Sequence, residues 1–290
     1  MKPLFIINPI SGGVDKSQII SEIASLCELH SFDYSIYIWK KKLDLDKHLE
    51  TFSPDRIIVV GGDGTLRYAV INLSYLNIPF GLVSLGSANG TAKEINLSTN
   101  SIEALVDAVF SENYIYSDVL KINDNICVHL SDIGTNAELV EKFEKEPERG
   151  FMSYAKHLFS TLIETEEKEF KITANDKVHN WKGYMLTFAN ASKYGSGIII
   201  NPGGDISDGV FELCNVKDLS IEALLMMGFS KYSDSVSLSD FIDQIKTTKA
   251  LVETKQPYLL QIDGEVIGEF SRFEIEIKHK YFRFVIPQIS

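Results

Sequence analysis

The glycine-rich segment at residues 61–65 (GGDGT) constrains the fold of this chain more than any other stretch. It directly follows residues 56–60 (RIIVV), whose four consecutive β-branched residues predict a strand buried on both faces, as in a parallel sheet. Residues 66–71 can begin a helix. A glycine-rich turn between a buried strand and a helix N-terminus gathers backbone N–H groups that bind anions such as phosphate. The segment therefore predicts either a nucleotide site or an ordinary tight turn.

Asp63 is the unusual residue of this segment, because its carboxylate would repel a phosphate. A divalent cation that bridges the carboxylate and the phosphate would remove the repulsion, and so would a carboxylate that points at a hydroxyl. The segment accordingly suggests a nucleotide site that also contains a metal ion.

Two more glycine-bearing loops, at residues 8–13 and 86–91, also follow apolar strand-like runs. Strand and helix patterns alternate as far as about residue 110, which predicts an open, mostly parallel α/β sheet with helices on both faces. Ligands of such sheets bind at the carboxyl ends of the strands. We therefore expect these two loops and residues 61–65 to line one site.

The pattern changes after residue 113, where short strand-like segments alternate with turns and predict a mainly antiparallel β-sandwich. Helical patterns interrupt it near residues 151–165 and 220–229, and residues 238–249 are ambiguous. We place the domains at 1–117 and 118–290, with the final residues returning to pack on the first domain. No flexible linker separates them, so we expect the domains to pack together around a cleft.

The net charge of −12 argues against a broad nucleic-acid surface and against purely electrostatic docking on an anionic membrane. Residues 40–42 (KKK) form a small basic patch, but three lysines are equally consistent with a solvated loop.

Cys27, Cys127 and Cys214 are far apart in sequence and predict buried free thiols in a reducing compartment. No apolar run reaches the ~18 residues of a membrane span, so we expect a cytoplasmic protein.

Two acidic stretches of the second domain are candidates for chemistry. Asp205 and Asp208 lie in a glycine-rich loop, where carboxylates can hold a hard cation or simply form turns. Asp263 and Glu265 flank Gly264 at the end of an apolar run. Paired carboxylates suit general-base catalysis with a metal or ribose contact, but the same residues equally suit a hairpin turn.

Together these motifs resemble the diacylglycerol kinase catalytic-domain family, specifically its soluble bacterial lipid kinases, which are related to diacylglycerol and sphingosine kinases. Residues 61–65 carry the family signature, and residues 8–13 and 85–93 resemble its two other nucleotide loops. Residues 205–213 resemble its structural magnesium loop, and residues 263–265 resemble its general-base motif. The GGDGT signature alone would also fit NAD kinases, which share the N-terminal fold.

The resemblance implies an ATP- and Mg²⁺-dependent kinase that phosphorylates a hydroxyl of a diacylglycerol-like or sphingoid-like lipid. It implies Asp263 as the general base, with Glu265 and Asp63 supporting the metal or the nucleotide. It implies a structural metal bound by Asp205, Asp208 and Val210. The nucleotide-binding residues that it implies are Asn8, Pro9, Ser11, Gly12, Gly61, Gly62, Asp63, Gly64, Thr65, Ser87 and Asn89.

The same resemblance implies a lipid substrate and transient peripheral contact with the inner face of the membrane, with no nucleic-acid partner. A homodimer is a reasonable expectation for a cytoplasmic enzyme. Two alternatives stay open: an NAD-kinase-like phosphotransferase that acts on a soluble acceptor, and a nucleotide-binding regulator without catalytic activity.

Four positions depart from the family's usual pattern. Tyr68 replaces a common acid, and Gly90 stands where many bacterial members have an aspartate that could bind metal. Ser87 replaces a threonine but keeps the hydroxyl, and a threonine that often contacts the nucleotide is missing near Trp39. These departures leave the metal coordination and the nucleotide preference open.

Overall fold

The computed structural model describes residues 1–39, 42–135, 137, 166–195, 197–220 and 238–288. The chain divides into two compact units, which we call the first unit (Met1–Ser117 with Lys280–Ser290) and the second unit (Asp118–His279). Lys40 and Lys41 of the predicted basic patch lie outside the described residues, as do residues 151–165 and nearly all of residues 220–229, where helices are predicted.

The first unit alternates strands and helices along the chain. Its strands are β1 (Pro3–Ile7), β2 (Ser35–Ile38), β3 (Arg56–Gly61) and β4 (Pro79–Ser84), and its helices are α1 (Ser17–Leu29), α2 (Lys42–Thr51), α3 (Asp63–Leu73), α4 (Gly90–Glu94) and α5 (Ser101–Phe110). Short 3₁₀ turns cover Ser11–Gly13 and Ser74–Leu76. Apolar residues of α1 and α5, including Ile23 and Leu105, pack against Phe5 and Ile58 of the sheet.

The four strands of the first unit pair in parallel in the order β2-β1-β3-β4. From β1 the chain moves outward to β2, then returns to the other side of β1 to form β3 and β4. The strand order therefore reverses between β1 and β3. In open α/β sheets this reversal point opens a crevice at the carboxyl ends of the strands, where ligands bind.

The second unit is built mainly from antiparallel strands, the first of which begins within the first unit. They are β5 (Tyr114–Ile122), β6 (Asn125–Cys127), β7 (Leu130–Gly134), β8 (Lys168–Ala174), β9 (Lys177–Gly183), β10 (Met185–Ala189), β11 (Phe211–Val216), β12 (Ile242–Thr247), β13 (Lys249–Ile262) and β14 (Glu265–Val285). The order β12-β11-β10-β7-β13-β14 is antiparallel throughout, and β8 and β9 continue from β13. Phe170, Phe188, Phe211 and Phe273 are the largest side chains of its core.

The strand β14 begins in the second unit and ends in the first. Its residues 265–276 pair with β13, whereas Arg283 and Phe284 pair in parallel with Pro79 and Phe80 of β4. Phe282 packs edge-on against Phe80, with 5.5 Å between the ring centroids. The end of β14 is therefore the fifth strand of the first unit's sheet.

The predicted fold class is confirmed, with a mostly parallel sheet first and antiparallel strands after it. The ambiguous segment contains strand β12, whose outward-facing polar residues obscured its alternation. Strand β9 was not predicted, because most of its side chains are exposed or half-buried and only the last is buried.

The three cysteines are buried free thiols, as expected. Among the described helices, none is both long and apolar enough to cross a membrane.

Candidate active site

Three loops of the first unit meet at the point where the strand order reverses. The Asn8 side chain, just after β1, donates a 3.0 Å hydrogen bond from Nδ2 to Oγ1 of Thr65, in the loop that follows β3. Ser11 Oγ donates to the carbonyl of Leu85, after β4, at 3.3 Å. The Leu85 N–H donates to the carbonyl of Gly61 at 2.8 Å. Loops 8–13, 61–65 and 85–91 therefore form one hydrogen-bonded group.

Glycines allow these loops to touch through their backbones. A Cβ on Gly12, whose φ is +65°, would lie 2.4 Å from the Leu85 carbonyl oxygen. A Cβ on Gly86 would lie 2.5 Å from the Gly62 Cα, and one on Gly61 would lie 2.5 Å from Thr65 Oγ1. These distances are too short for real side-chain atoms, so any larger residue would push the loops apart.

Asp63, the first residue of α3, links the second loop to the third. Its Oδ2 accepts a 2.8 Å hydrogen bond from the Gly90 N–H, and its Oδ1 accepts a 2.9 Å bond from the Thr91 N–H. These two N–H groups begin helix α4, where backbone donors lack partners within the helix. Hydrogen bonds from these two backbone N–H groups therefore hold the Asp63 carboxylate in place.

The third loop is also stabilised from within. Asn89 adopts a left-handed conformation with φ +56°, and its Oδ1 accepts a 2.8 Å hydrogen bond from the Gly86 N–H. Of the other predicted nucleotide residues, Pro9 and Ser87 are exposed, and Gly64 lies half-buried in the first turn of α3. Their exposure leaves them accessible to a ligand at this edge of the sheet.

Lys16 is a buried residue of this region that the sequence analysis did not identify. Its side chain is almost fully enclosed, and Nζ donates to the carbonyls of Ser11 at 2.6 Å and of Val14 at 2.8 Å. Burial lowers the pKa of Lys16 below its ordinary value, with Asp15 acting in the opposite direction. The ammonium fixes the first loop and adds positive charge there. It was missed because it follows a turn and belongs to no apolar pattern.

In the second unit, Asp263 and Gly264 form the hairpin turn between β13 and β14, with φ values of +51° and +86°. The Asp263 Oδ1 accepts hydrogen bonds from the N–H groups of His129 at 2.8 Å and Leu130 at 3.3 Å. Its Oδ2 accepts one from the Val128 N–H at 2.9 Å. Three backbone donors thus orient this carboxylate.

Glu265 is exposed and opens β14, so it does not share a strand face with Asp263. The hairpin that the sequence left open as an alternative is therefore what these residues form. Asp263 nevertheless does more than form the turn. Its carboxylate accepts hydrogen bonds from residues 128–130, where β6 connects to β7.

A buried polar network lies next to this turn and was not predicted. Gln261 accepts from the Gly264 N–H at 2.9 Å and donates to Oδ2 of Asp132 at 2.6 Å. The Tyr194 hydroxyl donates to the same Asp132 oxygen at 2.7 Å and contacts Thr187 Oγ1 at 3.0 Å. Asp132 is directly opposite both Gln261 and Thr187 in the sheet. The network therefore depends on strand register, which joins residues far apart in sequence.

Comparison with known proteins agrees with this arrangement. Residues 2–122 match the model of the diacylglycerol kinase catalytic domain, and residues 132–279 match that of the YegS C-terminal NAD kinase beta sandwich-like domain. Together the two models cover nearly the whole chain, which belongs to the family that joins these two domains. A candidate lipid kinase of Staphylococcus carnosus is 26% identical over 231 residues, covering 77% of this chain and 74% of that protein.

A second candidate lipid kinase, from Staphylococcus epidermidis, is 26% identical over 280 residues, covering 91% of this chain and 88% of the relative. The crystal structure of a candidate diacylglycerol kinase from Bacillus anthracis str. Sterne has a TM-score of 0.80 at 23% identity, covering 98% of this chain and 96% of that one. A diacylglycerol kinase structure from the same strain has a TM-score of 0.73 at 21% identity, with the same coverage of each chain. At these identities the two structures show a shared fold.

Two of the departures from the family pattern are in contact in this member. The rings of Trp39 and Tyr68 stack, with 4.7 Å between centroids and 26° between planes. Burial raises the pKa of Tyr68 to about 12, and the neighbouring Tyr37 adds to the rise. The Tyr68 hydroxyl is buried and makes no well-formed hydrogen bond within the described part of the chain, although Tyr37 lies close to it. Where the family commonly has an acid, this chain therefore has Tyr68, whose ring makes an apolar contact with Trp39.

In the loop that resembles the family's structural magnesium site, both aspartates have partners within the protein. Asp205 Oδ1 accepts bonds from the Ser207 N–H at 2.9 Å and the Ser207 hydroxyl at 2.6 Å. Asp208 Oδ1 accepts from the Val210 N–H at 3.1 Å, and its Oδ2 lies 2.8 Å from Lys246 Nζ. No group of three His, Cys, Asp or Glu residues in the described ranges could hold a metal ion. The Asp208 carboxylate of the predicted site is thus already paired with a cationic side chain.

Proposed function

We propose that this chain is an ATP-dependent lipid kinase that transfers the γ-phosphate to a hydroxyl of a diacylglycerol-like or sphingoid-like lipid. The observation that carries the proposal is the meeting of three glycine-bearing loops where the strand order reverses, in a chain of this family. Such a crevice, lined by backbone N–H groups, suits the phosphates of a nucleotide.

Several features of the first unit support phosphate binding. Helix α3 begins at Asp63, directly after the glycine turn, so its N-terminal N–H groups carry the positive end of the helix dipole. The buried Lys16 ammonium adds a full positive charge beside the first loop. Positioning and neutralisation of phosphate charge are the main requirements of phosphoryl transfer.

The family implies a magnesium ion on the nucleotide, and the residues of the first unit fit one. Asp63 supplies a carboxylate, and the Thr91 hydroxyl is buried with no hydrogen-bond partner among the described residues. Nucleotide magnesium typically takes only one or two carboxylates, with phosphate oxygens and water as its other ligands. Asp63 would hold this ion, whose charge offsets that of the phosphate oxygens.

We assign Asp263 as the group that receives the proton of the acceptor hydroxyl. Its amide contacts orient the carboxylate, and a carboxylate oxygen can accept a proton. Asp263 is therefore expected to orient the hydroxyl and to take its proton as the bond to phosphorus forms.

Near Asp263, the imidazole of His129 offers another polar group to an acceptor. The side chain is buried, and Nε2 finds no hydrogen-bond partner in the ranges that the structure describes. A buried nitrogen without a partner is unfavourable, so a ligand hydroxyl or headgroup that pairs with it would gain affinity.

The test is transfer of label from γ-labelled ATP with Mg²⁺ to a panel containing diacylglycerol, a sphingoid base and NAD. We expect label in an organic-phase product, and Asp263→Asn should lower turnover by about 10²–10⁴-fold while ATP still binds. Asp176→Asn is a matched control, because Asp176 also has a positive φ in a hairpin turn of the second unit. Its turnover should be unchanged.

The other outcomes separate the alternatives. Label that appears only in NAD would replace the lipid by a soluble acceptor. Confirmed ATP binding without transfer to any acceptor would support a regulator instead of a kinase. Full turnover by the Asp263→Asn enzyme would reject Asp263 as the base and leave the kinase assignment standing.

A further inference from the structure

The loop at residues 201–210 is rich in acidic residues and glycine, yet its carboxylates are paired within the protein. Lys246, on β12, lies directly opposite Glu212 of β11 in the antiparallel register. Its Nζ is 2.8 Å from Asp208 Oδ2 and 3.5 Å from Glu212 Oε1. One ammonium group thus contacts two carboxylates. The pairing of β11 with β12 positions Lys246 for these contacts.

We infer that the Lys246 ammonium serves in this chain as the cation of the 201–210 loop, neutralising Asp208 and Glu212 so that the loop keeps its shape without a bound metal ion. This inference concerns the stability of the loop and does not depend on the proposed kinase reaction.

The hydrogen bonds of the two carboxylates support this inference. Asp208 uses Oδ1 for the Val210 N–H and Oδ2 for Lys246. Glu212, which is 5% exposed, accepts a 2.7 Å bond at Oε2 from the fully buried Asn201 side chain and faces Lys246 with Oε1. Both oxygens of both groups therefore have partners. A divalent cation would have to displace the ammonium to bind them.

The loop is also anchored at a second point, independent of Lys246. The Gly209 N–H donates to Oδ2 of the buried Asp118 at 2.7 Å, and Oδ1 of Asp118 lies 2.8 Å from His279 Nδ1. Because this anchor persists when Lys246 is replaced, a Lys246 variant should keep the loop near its present position. The two carboxylates would then face each other without their cation.

The experiment measures thermal unfolding and Mn²⁺ binding of the nucleotide-free protein, in EDTA and in millimolar Mg²⁺ or Ca²⁺. Wild-type and Asp208→Asn proteins should bind the same number of Mn²⁺ ions. Lys246→Met should unfold about 2–6 °C lower in EDTA, because buried charge loses its partner. Divalent cations should restore its midpoint, since two carboxylates now offer oxygen ligands. The double variant Lys246→Met/Asp208→Asn should not recover.

Lys217→Met is the matched control, because Lys217 pairs at 2.9 Å with Asp243 at the same pair of strands. Its unfolding midpoint should not respond to divalent cations. Loss of one bound Mn²⁺ ion from wild type on the Asp208→Asn change would overturn the inference, and so would a folded Lys246→Met protein that cations do not restore. If Lys246→Met fails to fold, the comparison of wild type with Asp208→Asn decides alone.

Discussion

A 2.8 Å hydrogen bond from the Gly90 N–H to Asp63 Oδ2 joins the signature loop to the third loop. Asp63→Asn should weaken this junction, because an amide has only one acceptor oxygen for the N–H groups of Gly90 and Thr91. We expect the free energy of unfolding to fall by about 1–3 kcal/mol and the affinity for MgATP to fall with it. Denaturant titration and calorimetric titration with MgATP measure the two effects.

The control for Asp63 is Asp107→Asn on helix α5 of the same unit. It should change neither stability nor MgATP affinity noticeably. An Asp63→Asn protein with wild-type stability and affinity would contradict the role given to this junction.

Substitutions of the adjacent residues Gly12 and Gly13 can distinguish the effect of backbone strain from that of steric crowding. Both have positive φ, but a Cβ on Gly12 would meet the Leu85 carbonyl at 2.4 Å, whereas one on Gly13 would meet nothing within 4 Å. Gly13→Ala should lose about 1–2 kcal/mol of stability through strain alone. Gly12→Ala should lose more and should also bind MgATP less tightly, because it pushes two of the glycine-bearing loops apart. Equal effects of the two substitutions in unfolding and titration experiments would reject this explanation.

The Tyr68 hydroxyl predicts an unusual stabilising substitution. It is buried and makes no well-formed hydrogen bond among the described residues, although Tyr37 lies close to it, so Tyr68→Phe removes an unfavourable group and keeps the ring that stacks on Trp39. We expect the free energy of unfolding to rise by about 1 kcal/mol. Tyr194→Phe is the opposite case, since its hydroxyl bonds to Asp132, and it should destabilise the protein by about 1–3 kcal/mol. Urea denaturation of both variants tests these two predictions, and a Tyr68→Phe protein less stable than wild type would contradict the first.

Lys16 predicts a pH dependence at alkaline pH. Burial lowers its pKa in the folded state below the unfolded value of 10.5. Between these two pKa values the unfolded chain binds more protons than the folded one, so the Lys16 contribution to stability rises with pH. The difference in free energy of unfolding between wild type and Lys16→Met should therefore increase as pH approaches 10.5. The exposed Lys249→Met serves as control, and a difference that shrinks with rising pH would be inconsistent with a buried Lys16 ammonium.

The sequence predicted the first unit well because its signals are local. Glycines at residues 61–65 and 86–91 stand immediately after buried strands, and their spacing alone indicates where backbones approach closely. The Asp132–Gln261–Tyr194 network could not be predicted in this way, because it exists only through the pairing of β7 with β10 and β13. Lys246 was hidden for a related reason, since the apolar residues of its strand, Ile242 and Ile245, do not alternate and its partner Glu212 lies on another strand.

The final part of β14 has a consequence for the order in which the protein is made. Arg283 and Phe284 pair with β4, and the Ser111 hydroxyl donates to the Ile286 carbonyl at 2.6 Å. A ribosome releases these residues only after the whole second unit has been synthesised. Until then the edge of β4 is without its neighbour, and unpaired edges invite aggregation. The three glycine-bearing loops, although encoded early, therefore wait for synthesis of the second unit before the sheet that supports them is complete.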